Sequence, residues 1–166
     1  MSPDQIQNTV TIAITLEALF EKEGCTSRTF DLPEKPLEDF LIAGINVGTF
    51  FRKTANNISD QILNNSFKYF PEALSASNSL KSKKTVNFGL LEIMFLVVHG
   101  KMTCKADQNI LDRLNELLDE NGNDAVLSLL DARQIAWSTS QNAEKKEFDP
   151  SPYQNLGSMR EFYSAL

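Results

Sequence analysis

The chain has 166 residues, of which 42% are hydrophobic and 23% are charged, and its formal net charge at pH 7 is −6. The length fits one domain with a single substantial core, and the composition is ordinary for a globular protein. The negative net charge makes nucleic acid and anionic membranes unfavourable partners.

Cysteine content and the N-terminal sequence bear on where the protein resides. The two cysteines, Cys25 and Cys104, are too few for a disulfide framework and form no Cys-x-x-Cys pair. The first ten residues lack the basic-then-apolar order of a signal peptide. No apolar run reaches the roughly 18–20 residues of a membrane helix. We therefore expect a cytoplasmic protein in a reducing setting, without a membrane span.

The first predicted helix runs from Asp4 to Glu23. Ser2 is the expected N-terminal cap, with Pro3 at the first helical position and Gln5 beyond it. The residues on or beside the expected apolar line are Ile6, Val10, Ile12, Ala13, Leu16, Glu17, Leu19 and Phe20. This spacing predicts a helix with a broad apolar face.

A proline-containing loop, residues 25–36, leads to a second predicted helix over Leu37–Asn56. Its inward candidates are Leu37, Phe40, Leu41, Gly44, Ile45, Val47 and Phe51. Gly44 and Gly48 lie four residues apart on one face. Since glycine weakens a helix interior, this pair predicts the close approach of another helix.

The remaining chain also shows helical spacing. Further helices are expected over Ser59–Phe70, Pro71–Leu80, Phe88–Val98, Asp107–Glu120, Asp124–Ser138 and a short stretch after Ser158. His99 and Gly100 are expected to end the third of these, with His99 favouring the helix dipole. Residues 138–157 are polar and predict a loop or mobile segment. The sequence predicts an all-α, single-domain helical bundle over residues 1–166.

Four carboxylates cluster before and within the first turn of the second helix: Asp31, Glu34, Glu38 and Asp39. Such a cluster could hold Mg²⁺, which takes one or two carboxylates together with water and phosphate oxygens. The alternative is that Glu38 and Asp39 complement the positive end of the helix dipole.

The segment before the apolar helix at Phe88 is cationic. Lys81, Lys83 and Lys84 precede Asn87 and Gly89 at the helix entrance. Free N–H groups and the dipole make a helix N-terminus a ready site for an anion. One interpretation is therefore a phosphate site, and the other is a solvated loop that ends in an ordinary asparagine cap.

Three stretches in the same order resemble the triphosphoribosyl-dephospho-CoA synthase family. They are "FDLPEKPLEDFLIAG" (Phe30–Gly44), "TVNFGLLEIMFLVV" (Thr85–Val98) and "GNDAVLSLLDARQIA" (Gly122–Ala136). They are similar to the family's aspartate-bearing segment, its Asn-x-Asn-Leu-Gly turn and its later Asp-Ala helix.

The resemblance implies an all-helical transferase that joins ATP to 3′-dephospho-CoA and releases adenine, with Mg²⁺ accompanying ATP. Asp31 and Asp39 are the candidate catalytic and Mg²⁺-binding residues. The candidate residues for binding the phosphates of a nucleotide, or of another phosphorylated small molecule, are Arg28, Lys83, Lys84, Asn87 and Gly89.

The sequence departs from the family pattern at several points. "GCTSRT" replaces a Pro-Lys-Pro-Gly loop, Thr85 replaces the first asparagine of Asn-x-Asn, and the chain is shorter than usual. These departures leave the transfer reaction open. The alternative is a non-catalytic helical interaction or scaffold protein acting as a homo-oligomer. We expect a homodimer, with Leu41, Phe50 and Phe51 as candidate interface residues.

Overall fold

A computed structural model of the chain describes residues 1–20, 33, 36–56, 66–78, 86–138 and 149–166. These ranges contain seven α-helices and no strand: α1 (Pro3–Leu19), α2 (Leu37–Asn56), α3 (Phe70–Ala76), α4 (Phe88–Thr103), α5 (Ile110–Glu120), α6 (Asn123–Ser138) and α7 (Met159–Ala165). Two short 3-10 helices cover Ser66–Tyr69 and Ser151–Tyr153. The predicted all-α fold class is confirmed. None of the described helices combines the length and the apolar character needed to cross a membrane.

The described residues group into two compact units. One lies within Met1–Asn57 and Glu72–Leu91, and the other within Ile58–Pro71 and Glu92–Leu166. The extent of a single domain over residues 1–166 stays a prediction.

The predicted polar segment 138–157 is described only in part. Helix α6 reaches Ser138, residues 139–148 lie outside the described residues, and the 3-10 helix Ser151–Tyr153 occupies part of the remainder. The predicted helix over Ser59–Phe70 also falls largely outside them, and its described end is the 3-10 helix followed by the start of α3.

The start of α1 confirms the predicted cap. The Ser2 hydroxyl accepts a hydrogen bond from the Gln5 N–H at 3.2 Å, and the Gln5 Oε1 accepts one from the Ser2 N–H at 2.8 Å. This reciprocal arrangement is a capping box that satisfies two backbone donors. Pro3 follows at the first helical turn, where its missing N–H removes no helical bond.

Helices α1 and α2 pack closely in the first unit, as the glycine pair predicted. A Cβ atom added at Gly48 would lie 2.2 Å from the Thr11 Oγ1 and 2.9 Å from the Gln7 carbonyl oxygen. The Thr11 hydroxyl donates to the Gly44 carbonyl at 3.2 Å. The absence of side chains at Gly44 and Gly48 therefore lets the two backbones approach each other.

This packing buries a narrower face of α1 than the sequence predicted. The buried residues are Ile6, Val10, Ile14 and Ala18, one row spaced four apart. Ile12, Leu16 and Phe20 are exposed by 56%, 49% and 67%, so their prediction as inward residues was wrong. Because α2 approaches along its glycine face, the contact covers one row of α1 and leaves the next apolar row uncovered.

Two predictions for α2 also need correction. Ile45 is 55% exposed, although it was an inward candidate, because Ala43, Gly44, Val47 and Gly48 form the buried face. Phe51 is 1% exposed, so its prediction as an interface residue was wrong. A side chain inside the core is not available to a second copy.

An aromatic cluster forms part of the core of the second unit. Phe67, Phe70 and Phe95 are fully buried, with ring centroids between 5.1 and 6.1 Å apart. Helix α6 packs against the 3-10 helix that carries Phe67. Such aromatic pairs stabilise a core beyond the area that they bury.

Helix α4 continues past its predicted end at His99 and Gly100, reaching Thr103. His99 is buried, so the predicted role of His99 at a helix terminus was wrong. A Cβ atom at Gly100 would lie 2.5 Å from the Leu114 Cδ2 on α5. Gly100 therefore lies inside α4 and lets α5 pack closely against it. It does not end the helix.

Candidate functional site

The candidate site is the entrance to helix α4, in the first unit. Val86 is fully buried immediately before it, which anchors the chain. The Asn87 carbonyl oxygen accepts a hydrogen bond from the Leu91 N–H at 2.8 Å, the first helical bond of α4. Asn87 therefore occupies the N-cap position, and the N–H groups of the first turn have no carbonyl one turn before them.

Asn87 does not have the backbone conformation of an ordinary cap. Its φ is 59°, the only positive value at a non-glycine residue in the described part of the chain. N-cap residues usually have extended backbone angles. Asparagine is one of the few residue types other than glycine that tolerate the left-handed region.

The Asn87 side chain carries a buried donor. Its Nδ2 atom is inaccessible to solvent and finds no hydrogen-bond partner among the described residues. A buried donor without an acceptor is costly to folding, so an acceptor supplied from outside the chain would relieve this cost. Phosphate and carboxylate oxygens are suitable acceptors.

Gly89 leaves open space beside the first turn of α4. It is exposed, and a Cβ atom added there would meet no atom within 4 Å. A ligand could therefore approach the backbone at this point, and ligand binding at Gly89 stays a prediction. The same openness means that packing does not require glycine here.

The predicted cationic groups of the site, Arg28, Lys83 and Lys84, lie outside the described residues, as does Asp31. Their roles stay predictions.

Asp39 is described, in the first turn of α2. It is 2% exposed, and its backbone N–H donates to the Pro36 carbonyl at 3.0 Å. Its neighbour Glu38 is exposed. Over the part of the chain that the structure describes, no group of three or more histidine, cysteine, aspartate or glutamate side chains could hold a metal ion. Of the two predicted Mg²⁺ ligands, Asp39 is the one that the structure describes, and its role as a ligand stays a prediction.

A polar cluster in the second unit was missed by the sequence analysis. The Arg133 guanidinium on α6 donates from one nitrogen to both Glu92 oxygens, at 2.9 and 3.1 Å. The Tyr163 hydroxyl on α7 donates to the same carboxylate. Burial, followed by the negative charge of Glu92, raises the pKa of Tyr163. The three residues are far apart in sequence, so no local spacing indicates that they meet.

His99 is buried among the aromatic rings of the second unit, its own ring centroid 5.2 Å from that of Phe95. Its Nδ1 lies 2.7 Å from the Phe95 carbonyl oxygen, which can only accept, so Nδ1 carries the proton and donates. Burial lowers the pKa of His99 to about 4, and this hydrogen bond acts in the opposite direction. The imidazole is therefore neutral near pH 7 and belongs to the core.

Comparisons of the chain with protein-family models, curated proteins and solved structures find no match.

Proposed function

We propose that the chain binds a nucleotide or another phosphorylated small molecule at the entrance to α4. One observation carries this proposal: the buried Nδ2 atom of Asn87 has no partner among the described residues. A phosphate oxygen would accept from this donor once the Asn87 side chain turns out of its buried position, and the positive end of the α4 dipole would favour the charge of the phosphate. The open space at Gly89 gives a ligand access to the first turn.

The transferase part of the proposal depends on the sequence resemblance. As a short, divergent relative of triphosphoribosyl-dephospho-CoA synthase, the chain would take ATP and 3′-dephospho-CoA and release adenine. Mg²⁺ would accompany ATP, with Asp31 and Asp39 as its carboxylates. Arg28, Lys83 and Lys84 would supply positive charge to the phosphates. Binding of the nucleotide does not require that the transfer reaction occurs, so binding is tested first.

The test is a calorimetric titration with ATP, dephospho-CoA and inorganic triphosphate, each with Mg²⁺. Asn87→Gly keeps the left-handed backbone and removes the donor, so we expect about tenfold weaker binding than wild type. Asn87→Asp replaces the donor with a charged acceptor, and we expect a loss of about a hundredfold. Binding of inorganic triphosphate would show that the phosphates suffice for recognition.

Asn8→Asp is the matched control, because it makes the same chemical change at an exposed position of α1. Its affinity should equal that of wild type. The phosphate site is refuted if wild type binds none of the three ligands, or if both Asn87 variants bind as tightly as wild type. Thermal unfolding of each variant checks that the fold is retained.

We propose self-association as a second candidate function, because one observation favours it. Ile12 and Leu16 on α1, together with Phe20 at its C-cap, form an exposed apolar row. Adjacent exposed apolar side chains are typical of interaction surfaces. Of the predicted interface residues on α2, Phe51 is buried, while Leu41 and Phe50 are half-buried and their role at an interface stays a prediction.

Sedimentation velocity tests this candidate at tens of micromolar protein. Wild type should sediment as a dimer, and Leu16→Glu should shift it to the monomer by placing a charge in the row. Leu111→Glu is the control, since Leu111 is 64% exposed on α5. A monomeric wild type, or equal effects of the two substitutions, would count against association through α1.

A further inference from the structure

Helix α7 depends on its neighbours for its placement. It has seven residues, too few for a stable isolated helix. Met159 and Phe162 are fully buried, and the Met159 N–H donates to the Asn121 carbonyl at 2.8 Å. These contacts belong to the second unit, so α7 is held by that unit rather than by its own helical bonds.

The hydroxyl of Tyr163 connects α7 to a carboxylate that already has another partner. Glu92 on α4 accepts from Tyr163 and, through both of its oxygens, from Arg133 on α6. If Tyr163 moved away, Glu92 would keep its ion pair with Arg133. Releasing α7 therefore leaves no unpaired buried carboxylate, which is the costly outcome when a buried pair is broken.

Two further charged contacts involve α7. The Arg133 guanidinium lies over the buried Phe162 ring, 5.1 Å from its centroid. The second contact lies at the surface. Arg160 pairs with Asp119 and donates to the Asn115 carbonyl at 2.7 Å. Arg160 and Asp119 are both exposed. Exposed ion pairs usually contribute little to stability, and a bidentate arginine–carboxylate pair such as this one belongs to the stronger examples. Several contacts therefore hold the helix closed together. They are the buried apolar side chains, the contact of Arg133 with Phe162, the Arg160–Asp119 pair and the Tyr163–Glu92 hydrogen bond.

We propose that α7 opens and closes as one element on the second unit, and that the Tyr163–Glu92 hydrogen bond favours the closed state. Helices α4 and α6 keep their places during opening, because the Glu92–Arg133 pair connects them without α7. Opening exposes Met159, Phe162 and the ion pair to solvent. The fold thus contains a conformational device at its C-terminal helix, which operates independently of phosphate binding at Asn87.

Hydrogen exchange of the full chain, followed by mass spectrometry at several urea concentrations, tests this proposal. In wild type, the α7 amides should exchange faster than those of α4 and α6, with a weaker dependence on urea, as expected of a local opening. Tyr163→Phe removes the hydrogen bond to Glu92 and keeps the aromatic ring. We expect it to accelerate α7 exchange about tenfold and to leave α4 exchange unchanged.

Ser164→Ala is the matched control. The Ser164 hydroxyl donates to the Arg160 carbonyl within α7 and does not reach the cluster. Its removal should change α7 exchange by no more than about twofold. The proposal is overturned if α7 in wild type exchanges only together with α4 and α6. It is also overturned if Tyr163→Phe accelerates all three helices equally, or none of them.

Discussion

Asn87 combines two features that are unfavourable for stability alone. Its left-handed backbone costs a non-glycine residue roughly 1–2 kcal/mol, somewhat less for asparagine. Its buried Nδ2 atom adds the cost of a donor without a partner in the described part of the chain. Local strain of this kind is often found at binding sites, and this is why we place the phosphate site here.

Gly89→Ala should change folding stability and ligand binding in opposite directions at the entrance to α4. The position is open, so the added methyl group meets no atom, and alanine should raise the free energy of unfolding by about 0.5–1 kcal/mol. The methyl group would also occupy the space through which a ligand reaches the first turn. We therefore expect a more stable protein with weaker ATP binding, measured by urea unfolding and calorimetry. Increased stability with unchanged affinity would show that the ligand does not approach at Gly89.

His99 should make stability fall in mild acid. Burial lowers the pKa of the folded state to about 4, below the value of 6.5 expected of the unfolded chain. Folding thus favours the neutral imidazole. The contribution of His99 to folding stability is complete above pH 6.5 and is lost as the pH falls towards 4, because the unfolded chain then binds a proton that the folded chain does not. This difference in pKa corresponds to a loss of folding stability on the order of 3 kcal/mol.

Urea unfolding between pH 7 and pH 4 checks this expectation, with His99→Gln as the reference. Both proteins lose stability as their carboxylates are protonated, so the difference between them isolates His99. The free-energy difference should shrink as the pH falls from 6.5. A difference that stays constant would contradict the lowered pKa.

The close contact between α1 and α2 predicts that alanine substitutions at Gly44 and Gly48 have unequal effects on stability. Alanine at Gly48 would place a methyl group 2.9 Å from a backbone oxygen of α1, which cannot move away as a flexible side chain can. We expect Gly48→Ala to cost about 1–3 kcal/mol. At Gly44 the nearest atoms are 3.3–3.4 Å away, so Gly44→Ala should be milder. Equal unfolding midpoints for both variants would contradict this packing.

Local signals predicted the helices well, because caps and apolar spacing act within a few residues. Ser2 and Gln5 marked the start of α1, and Asn87 marked the entrance to α4. The buried face of α1 could not be predicted in the same way. The sequence of α1 has two neighbouring apolar rows, and it does not indicate which of them is buried. The approach of the α2 glycines determines which row is covered.

The same limit applies to the candidate site. Spacing and residue type placed Asn87 and Gly89 together, since both lie in one turn. The left-handed backbone of Asn87 and its buried donor depend on how the whole unit packs. The cluster around Glu92 joins three helices across long separations in the sequence, and a single sequence carries no signal for such contacts.

At the scale of the whole molecule, the net charge of −6 opposes association of two copies, while the apolar row of α1 favours it. Salt screens the repulsion and has little effect on apolar contacts. We therefore expect the dimer to strengthen as sodium chloride rises from 50 to about 500 mM, a range over which the screening length falls several-fold. Sedimentation equilibrium measures this change. Weaker association at higher salt would indicate an interface held by ion pairs instead.

The raised pKa of Tyr163 gives the molecule an optical reporter of its own. Phenolate absorbs at longer wavelengths than phenol, so the ionisation of a tyrosine can be followed by near-ultraviolet absorbance. With its hydroxyl held by Glu92, Tyr163 resists ionisation while α7 is closed. After a rapid jump to alkaline pH, its phenolate should form only as fast as the helix detaches. The chain has three tyrosines, so the part of the absorbance change that is missing from Tyr163→Phe would record the detachment of α7, without a label.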